Sequence, residues 1–407
     1  MTILVLVACL SSVLLLRAGQ MLLDVGLSRS KNVASAVMRA MCDVAVCILA
    51  FWALGGAVLF QSHNGYFSFA PRLIGTSDVT IMLYLPLILI ASGHVTGALA
   101  ERARFGVMAP VSALMAVLIV PTVGHWTWQG FLPRLGAMDL GGALPLHLAG
   151  AVVALVLSAG LGARSGKYNH DGSANGIPGH NVALMGVGMM LLFAGWLAYL
   201  VYITVLLFGL GGSEQRVMIL MFRVILNGLL AGAAGALAAI IYSSFRWGKT
   251  EVVLTMMGMV AGLVSTTAGL GTISPWGAVT MGALAGVAGP WLAIWLDTRW
   301  HVDEAASMAS AVAGGAIISL LGSPLLGPIV GWKPQFAAVG ANLVGIAATI
   351  ALAGGLTWLL LQLLKRVMRV RASKADEYDG LDLAEHDINA YPDFHQTMIK
   401  SYHTREA

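Results

Sequence analysis

Residues 138–164 read MDLGGALPLHLAGAVVALVLSAGLGAR, an apolar run that opens with an acid, two glycines and a histidine. Asp139 precedes the glycine pair, and we expect it to cap the first free N–H groups of a helix that begins there. His147 lies eight residues later, inside the apolar run. Ionisable side chains are unfavourable in hydrocarbon and usually face a bundle interior or a wet pathway, which makes His147 a functional candidate. The alternative is a core histidine that bonds a neighbouring carbonyl.

The composition is that of a membrane protein. Of 407 residues, 58% are hydrophobic and 10% are charged, against about 25% charged in soluble domains. The net charge of +4 is small and the basic residues are dispersed between apolar runs, so nucleic acid is not expected as a partner. The three cysteines have no CxxC or Cys/His spacing, which argues against disulfides and a metal site. No nucleophile–base set or phosphate loop is visible, so we expect neither an enzyme nor a cofactor.

Apolar windows of about 20 residues, the length that crosses a hydrocarbon core, recur eleven times. The sequence therefore predicts an all-α membrane protein with eleven transmembrane helices, multi-pass in the cell (inner or plasma) membrane. The predicted spans are 3–24, 33–60, 77–100, 105–125, 141–163, 180–203, 215–244, 250–270, 276–297, 304–322 and 336–366.

The distribution of basic residues predicts the orientation. Linkers after odd-numbered spans hold nine lysines and arginines, and the other linkers hold four. By the positive-inside rule the N-terminus lies outside and the C-terminus inside. We divide the chain into a transmembrane domain, 1–371, and a cytoplasmic tail, 372–407, in which Leu381 and Leu383 are expected to dock onto the basic inner linkers.

A spacing is repeated in the two halves. Asp139 precedes His147 by eight residues at span 5, and Glu304 precedes Val312 by eight at span 10. Five spans separate the two, and since five is odd the halves would run with opposite topology. This predicts two inverted five-helix repeats plus a final helix, an arrangement of transporters whose site lies near the midplane.

Five sequence blocks resemble the Amt/Mep/Rh family of ammonium transporters, in that family's order. They are GLSRSKNV (26–33), GALAERARF (97–105), the Asp139–His147 block, AGLVSTTAGLGTISPWGAVTMGALAGVAG (261–289) and GLDLAEHD (380–387). The resemblance implies eleven spans, a homotrimer and one narrow pore per subunit. It also implies a tail that contacts neighbouring subunits and a cytoplasmic regulatory protein.

The resemblance also assigns roles to individual residues. Trp128 matches the external cation-binding tryptophan, whose ring face attracts ammonium by a cation–π interaction. His147 matches the first of two paired pore histidines, and Asp139 matches a structural acid beneath the outer vestibule. Trp196 and Asn227 also fall on family positions.

Four positions depart from the family pattern. Leu87 and Tyr199 replace the two stacked phenylalanines that gate a typical pore, and Ile203 replaces a serine of the outer site. Val312 replaces the second pore histidine. One half of the usual proton-conducting pair is therefore missing.

Polar residues occur where typical members have apolar ones. His94 lies seven residues after Leu87, two helical turns along one face, so both are predicted to face the pore. We hypothesise that His94 and His147 form a two-histidine relay; the alternative is that His94 only bonds a neighbouring helix. Gln20 and Asp24, with Arg17, share a face of span 1 and are predicted to line the pore.

Further charges lie inside the spans. Arg39 and Asp43 have i, i+4 spacing and are expected to pair, and Arg223 lies four residues before Asn227. Such charges either form structural ion pairs or belong to a reshaped permeation route.

Three functions are consistent with these features. The first is transport of ammonium/ammonia or methylammonium, supported by Trp128, His147 and the resemblance over nearly the whole chain. The second is an Amt-like pore repurposed for another small polar solute, supported by the departures at the pore positions. The third is a poorly conducting ammonium sensor that signals through its tail.

Overall fold

The computed structural model describes residues 2–60, 65–66, 69–75, 79–209, 213–306, 308–327 and 335–392. Within these ranges the chain is helical, apart from two isolated β-bridges, and the predicted all-helical fold is confirmed. Nine of the described helices are long and apolar enough to cross a membrane, and two further apolar helices are shorter. They are α1 (Thr2–Leu27), α2 (Ser30–Leu59), α3 (Ile81–Leu99), α4 (Phe105–Arg134), α5 (Ala143–Leu161), α6 (Val182–Phe208), α7 (Glu214–Trp247), α8 (Val252–Val264), α9 (Pro275–Trp300), α10 (Ala309–Gly322) and α11 (Phe336–Val367).

Helix α8 ends earlier than its apolar window predicts. After Val264 the chain leaves the helix, and the carbonyls of Thr267 and Ala268 accept hydrogen bonds from the N–H groups of Gly141 (3.1 Å) and Leu140 (2.9 Å). Hydropathy cannot distinguish a buried apolar loop from a buried helix, because both remove the same side chains from water. This loop therefore packs directly against the chain segment that leads into α5.

Carboxylates cap the beginnings of α5 and α10. Asp139 accepts hydrogen bonds from the N–H groups of residues 142, 143 and 144 at 3.0, 2.6 and 2.8 Å. Gly142 is held at φ +85°, a conformation that favours glycine. Glu304 accepts from the Ser310 N–H at 3.0 Å. This cap is why α10 begins at Ala309, later than the predicted 304.

Helices α1 and α6 cross with their backbones in contact. A Cβ added at Gly188 would lie 2.8 Å from the Leu23 nitrogen and 2.9 Å from the Gly19 carbonyl oxygen. Both distances are shorter than a real Cβ tolerates, so glycine is required for this crossing. Small residues are the usual means by which membrane helices approach this closely. The crossing fixes the face of α1 that carries the predicted pore residues.

A buried ionic network closes one end of the bundle. Arg164 contacts Asp303 at 2.8 Å and Glu101 at 3.3 Å, and Arg29 contacts Glu101 at 2.6 Å. Burial favours the neutral acid, but the hydrogen bonds and charge of Arg164, with the charge of Arg102, outweigh it and lower the pKa of Asp303 to about 2. These residues come from separate linkers, so the network fastens one linker to another.

The tail packs on this same end as two short helices, α12 (Lys374–Asp379) and α13 (Leu381–His386). Asp382 accepts a hydrogen bond from the Ser35 N–H at 2.7 Å, in the first turns of α2. The part of the predicted tail at 393–407 lies outside the described residues.

The two tail leucines behave differently. Leu381 is fully buried, and its N–H donates to Asn32 Oδ1 at 3.0 Å. Leu383 is 58% exposed, so the expectation that both leucines dock is wrong for Leu383. Successive residues of a short helix point in different directions, and only one of the two faces the bundle.

Candidate transport site

Helices α3 and α5 bring two imidazole rings together in the bundle interior. Nε2 of His94 lies 3.3 Å from Nδ1 of His147, and both side chains are buried. His147 lies in the wide, π-helical first turns of α5. The helices approach at Gly150, where an added Cβ would lie 3.2 Å from Cδ2 of His94. The histidine of α3 thus stands where it can exchange a hydrogen bond with the histidine of α5.

Gln20 gives this hydrogen-bonded chain its direction. Its Nε2 lies 3.2 Å from Nδ1 of His94. An amide nitrogen only donates, so Nδ1 of His94 accepts, and Nε2–H of His94 donates to Nδ1 of His147. The proton of a neutral His147 is then on Nε2, which has no hydrogen-bond partner among the described residues. The chain therefore ends in a buried N–H that is left for a solute.

Two aromatic residues of α6 hold the His147 ring in place. Trp196 stacks on it, with ring centroids 4.8 Å apart and planes 21° apart, and Tyr199 meets it edge-on at 5.9 Å. Both aromatic residues are fully buried. Trp196 therefore fixes the plane of the imidazole.

The residues expected at the family's gate and outer site are buried in the bundle. Tyr199 donates a hydrogen bond to the carbonyl of Gly141 at 2.6 Å, which ties its ring to the segment before α5. Leu87 is 1% exposed and Ile203 is fully buried. The tyrosine side chain is therefore held in place, because a change of its χ1 angle would break a buried hydrogen bond.

An aromatic cluster lies at the opposite end of the bundle from the tail. The Trp128 ring meets Tyr84 edge-on at 5.7 Å, and Tyr84 meets Phe60 at 5.0 Å. Trp128 is only partly buried. Sequence reasoning missed Tyr84, although it lies three residues before Leu87 and so on a neighbouring position of the same helix face. The cluster offers a cation more than one ring face.

Gln20 and Asp24 lie on the tail side of the histidine pair. With His94, Trp196 and Val312 they line a cavity of about 20 Å³. Asp24 accepts a hydrogen bond from Thr96 Oγ1. The structure thus gathers four of the sequence-predicted site residues, from α1, α3 and α10, around one small space.

The buried charges pair differently from the prediction. Asp43 contacts Arg17 at 2.6 Å, and it also accepts from Ser92 (2.7 Å) and Ser112 (2.6 Å). The expected Arg39–Asp43 pair is wrong, because Arg39 instead donates to the carbonyl of residue 103 at 2.9 Å. Contacts between helices outcompete the i, i+4 spacing here. Arg17 and Asp43 therefore form a structural ion pair between α1 and α2.

Two further polar residues stand apart from the histidine pair. Asn227 donates to the Ile273 carbonyl at 2.8 Å, and Arg223 donates to the Gly271 carbonyl at 3.2 Å. Both contacts hold the loop between α8 and α9 against α7. Their role in this structure is to support the loop that packs against the start of α5.

The chain was compared with known proteins. The model of the Ammonium Transporter Family matches residues 4–391. Ammonium transporter Amt2 of Archaeoglobus fulgidus is 34% identical, covering 94% of this chain and 86% of that protein. Ammonium transporter Amt2 of Haloferax mediterranei is 29% identical, covering 93% and 87%.

Solved structures share the fold. The structure named Sensor Amt Protein superposes with a TM-score of 0.88 at 25% identity, covering 95% of this chain and 98% of that one. The crystal structure of Saccharomyces cerevisiae Mep2 superposes with a TM-score of 0.80 at 23% identity, covering 91% and 87%. With its apolar helices and the family match over nearly its whole length, this chain is a multi-pass membrane protein that belongs to the ammonium transporter family.

Proposed function

We propose that the chain transports ammonium/ammonia or methylammonium through one pore per subunit. The observation that carries this proposal is the buried contact between His94 and His147. It supplies a histidine pair although the resemblance assigns Val312 to the family's second histidine position. No enzymatic step is part of the proposal.

The arrangement supports a sequence of events along the pore. Trp128 and Tyr84 attract the cation by their ring faces, and the apolar barrier at Leu87 and Tyr199 favours a desolvated, neutral solute. The histidine pair then offers one donor and one acceptor per ring to a solute or a proton.

The pair is suited to pass a proton in either direction. A proton that arrives at Nδ1 of His94 moves the Nε2 proton to His147, which releases its own Nε2 proton. When the Gln20 amide rotates by 180°, its oxygen accepts from Nδ1–H of His94, the tautomer that the transfer leaves behind. Proton transfer in the reverse direction is therefore supported equally well.

The test is the electrical current from purified protein in liposomes under an ammonium gradient. We expect a current from the wild-type protein, and we expect His94→Ala, His147→Ala and the double variant to lose nearly the same amount. Partners in one relay are non-additive, whereas independent residues give additive losses. A His94→Ala protein with normal flux, or additive losses, would end the relay proposal.

The finer architecture belongs to the same proposal. We infer eleven membrane helices, with α8 and α10 as the two short ones, arranged as two inverted five-helix repeats plus α11. The carboxylate caps at Asp139 and Glu304 support this, because they stand in corresponding places of the two halves. The basic linkers favour an outside N-terminus and an inside tail.

The assembly and location follow from the family. We propose a homotrimer in the cell (inner or plasma) membrane, with the tail as the contact for a cytoplasmic regulatory protein. Exposed apolar side chains on α7, such as Phe222 and Phe245, supply the outer surface that lipid or a neighbouring subunit would cover.

Two alternatives have observations in their favour. A sensor role is favoured by the likeness to the structure named Sensor Amt Protein. A different small polar solute is favoured by Gln20 and Asp24 beside the pore histidines. Binding of ammonium without current supports the sensor, and current with small amides but not with ammonium supports the second alternative.

A further inference from the structure

A small space lies beside the histidine pair, on its tail side. Its volume is about 20 Å³, which accommodates one water-sized molecule. An ammonium ion is close to water in size. The space is bordered by Gln20, Asp24 and His94 on one side and by the methyl groups of Val312 on another. It therefore accepts one small solute that is in contact with the relay.

Two oxygen atoms at this space lack partners. Oε1 of Gln20 is buried and has no hydrogen-bond partner among the described residues. Asp24 uses Oδ2 to accept from Thr96, and within the described ranges no hydrogen bond reaches its Oδ1. A buried acceptor without a donor, such as Oε1 of Gln20, is unfavourable and marks a place for a missing donor.

Glycines of α3 keep these oxygens accessible. A Cβ added at Gly97 would lie 2.8 Å from Oδ1 of Asp24, and one added at Gly93 would lie 2.7 Å from Cδ of Gln20. Any larger residue at these positions would fill the space next to the oxygens. Helix α3 therefore has no side-chain atoms where it faces the two acceptor oxygens of α1.

Arg17 and Arg39 act on the charge of Asp24 from a distance and form no direct ion pair with it. Arg17, the basic residue on the same face of α1, is bound to Asp43 at 2.6 Å. Among the described residues, no lysine, arginine or histidine forms an ion pair with Asp24 within 4.0 Å. An unpaired carboxylate in a membrane interior is strongly unfavourable, and a bound cation removes this penalty.

We propose that Oδ1 of Asp24 and Oε1 of Gln20 form an inner cation site that binds ammonium on the tail side of the histidine pair. This inner site adds a binding step to the proposed transport function. It depends on that proposal only in its assignment to the pore. Ammonium supplies N–H donors that match the two acceptors. Potassium, of similar size, needs a fuller shell of oxygen ligands than two side chains provide.

The experiment measures the thermal unfolding midpoint of the purified full-length protein in detergent, with ammonium, potassium or sodium chloride. A ligand that binds the folded state raises the midpoint according to its concentration and affinity. All variants carry Trp128→Leu, so that the outer site does not contribute. Asp24→Asn removes the charge at nearly unchanged size, and Gly186→Ala is the control, because an added Cβ there has nothing within 4 Å.

We expect the Trp128→Leu parent to retain an ammonium-dependent shift that exceeds the shifts with potassium and sodium. Asp24→Asn should weaken the apparent affinity tenfold or more, whereas Gly186→Ala should stay within about threefold. Gln20→Met, which keeps the volume but removes the acceptor, should also weaken binding and serves if Asp24→Asn does not fold.

Three results would overturn the inner site. They are a parent without an ammonium shift, an Asp24→Asn variant with the shift of its parent, and equal shifts with potassium and ammonium. The proposed transport function is tested separately by the liposome current. A wild-type protein that carries no current, but loses its ammonium shift with Asp24→Asn, would refute transport and leave the inner site standing.

Discussion

At the scale of single residues, the pore of this chain keeps a histidine pair by taking the second partner from another helix. Val312 offers only methyl groups, and His94 of α3 contacts His147 instead. A histidine at position 94 also requires Gln20, because Nδ1 of His94 needs a hydrogen-bond partner when its Nε2 contacts His147. One substitution at a buried polar position thus changes the residues required on two other helices.

The Trp128 cluster leads to a prediction about affinity. Trp128→Leu should weaken ammonium recognition by about 0.5–2 kcal/mol, roughly twofold to thirtyfold in affinity, because one cation–π contact is lost. Tyr84→Leu should act in the same direction, and the fold should survive both changes. The measurement is the ammonium concentration that gives half-maximal current.

Trp126→Leu is the matched control for this prediction. Trp126 lies two residues earlier on α4 and meets Phe131 edge-on, and Trp128 is the residue that contacts Tyr84. Its replacement should leave the half-maximal concentration unchanged. Equal effects of Trp126→Leu and Trp128→Leu would show that the cluster does not bind the cation.

At the scale of helices, the site depends on two structural features, which are close helix crossings and capped helix N-termini. The α1–α6 crossing places Gln20 and Asp24, and the caps at Asp139 and Glu304 set where α5 and α10 begin. The caps supply hydrogen bonds to backbone N–H groups that water does not reach in the membrane interior. The crossing packs two helix backbones directly against each other. The positions of the polar residues are therefore fixed by helix geometry.

The crossing predicts that Gly188→Ala destabilises the protein by about 1–3 kcal/mol, the range for overpacked sites. The added methyl group would meet the backbone of α1 at Leu23 and Gly19. Gly186→Ala is the matched control, since an added Cβ there has nothing within 4 Å. We expect Gly186→Ala to be neutral or stabilising, because alanine favours helix more than glycine does.

Thermal unfolding of both alanine variants in detergent tests this prediction. The current should also fall in Gly188→Ala, because a displaced α1 moves Gln20 away from His94. A Gly188→Ala protein as stable as Gly186→Ala would mean that the helices separate without loss, contrary to the crossing described above.

The Glu304 cap predicts a pH dependence. Burial raises the pKa of Glu304 to about 7, against the opposing hydrogen bonds from Ser310, whereas an unfolded glutamate titrates near 4.3. The unfolded state then binds fewer protons between these values, so stability is fully present at low pH and falls as pH rises through 7.

Glu304→Gln should remove this dependence while keeping an oxygen that accepts from Ser310. The difference in unfolding midpoint between pH 5 and pH 8 should therefore be smaller in the variant than in the wild type. The variant should have the higher midpoint of the two proteins at pH 8. An unchanged pH profile would show that Glu304 titrates as an ordinary surface acid.

At the scale of the whole molecule, the tail and linkers form one connected surface at the end of the bundle. Asp382 bonds the start of α2, Glu377 bonds Ser165 at 2.8 Å, and Arg371 bonds Glu377 at 2.7 Å. The tail therefore touches the beginnings or ends of helices that carry pore residues. A change in its position has a direct structural path to the site.

Deleting residues 376–407 should alter the ammonium-driven current without abolishing membrane insertion. A finer test is Asp382→Ala, which removes a buried acceptor and leaves the Ser35 N–H without its cap, a loss of about 1 kcal/mol. Limited proteolysis of the tail should become faster in that variant. Asp379→Ala, at an exposed tail position, is the control and should leave both cleavage and current unchanged.

The sequence by itself determined the all-helical membrane fold and the candidate histidines. Length and hydropathy sufficed for this, because a membrane segment must satisfy its backbone internally and present an apolar exterior. His94 was found from its spacing to Leu87, because helical periodicity places residues seven apart on one face. The capping role of Asp139 also followed from local sequence.

Only the tertiary structure decided which groups meet. Local spacing favoured an Arg39–Asp43 pair, but the packing of α1 on α2 places Arg17 next to Asp43, and these two form the ion pair. The exposure of Leu383, the contact of Tyr84 with Trp128 and the short α8 depend likewise on neighbours distant in sequence. A buried polar group binds the nearest partner in space, and that partner is set by how helices cross, which no single segment encodes.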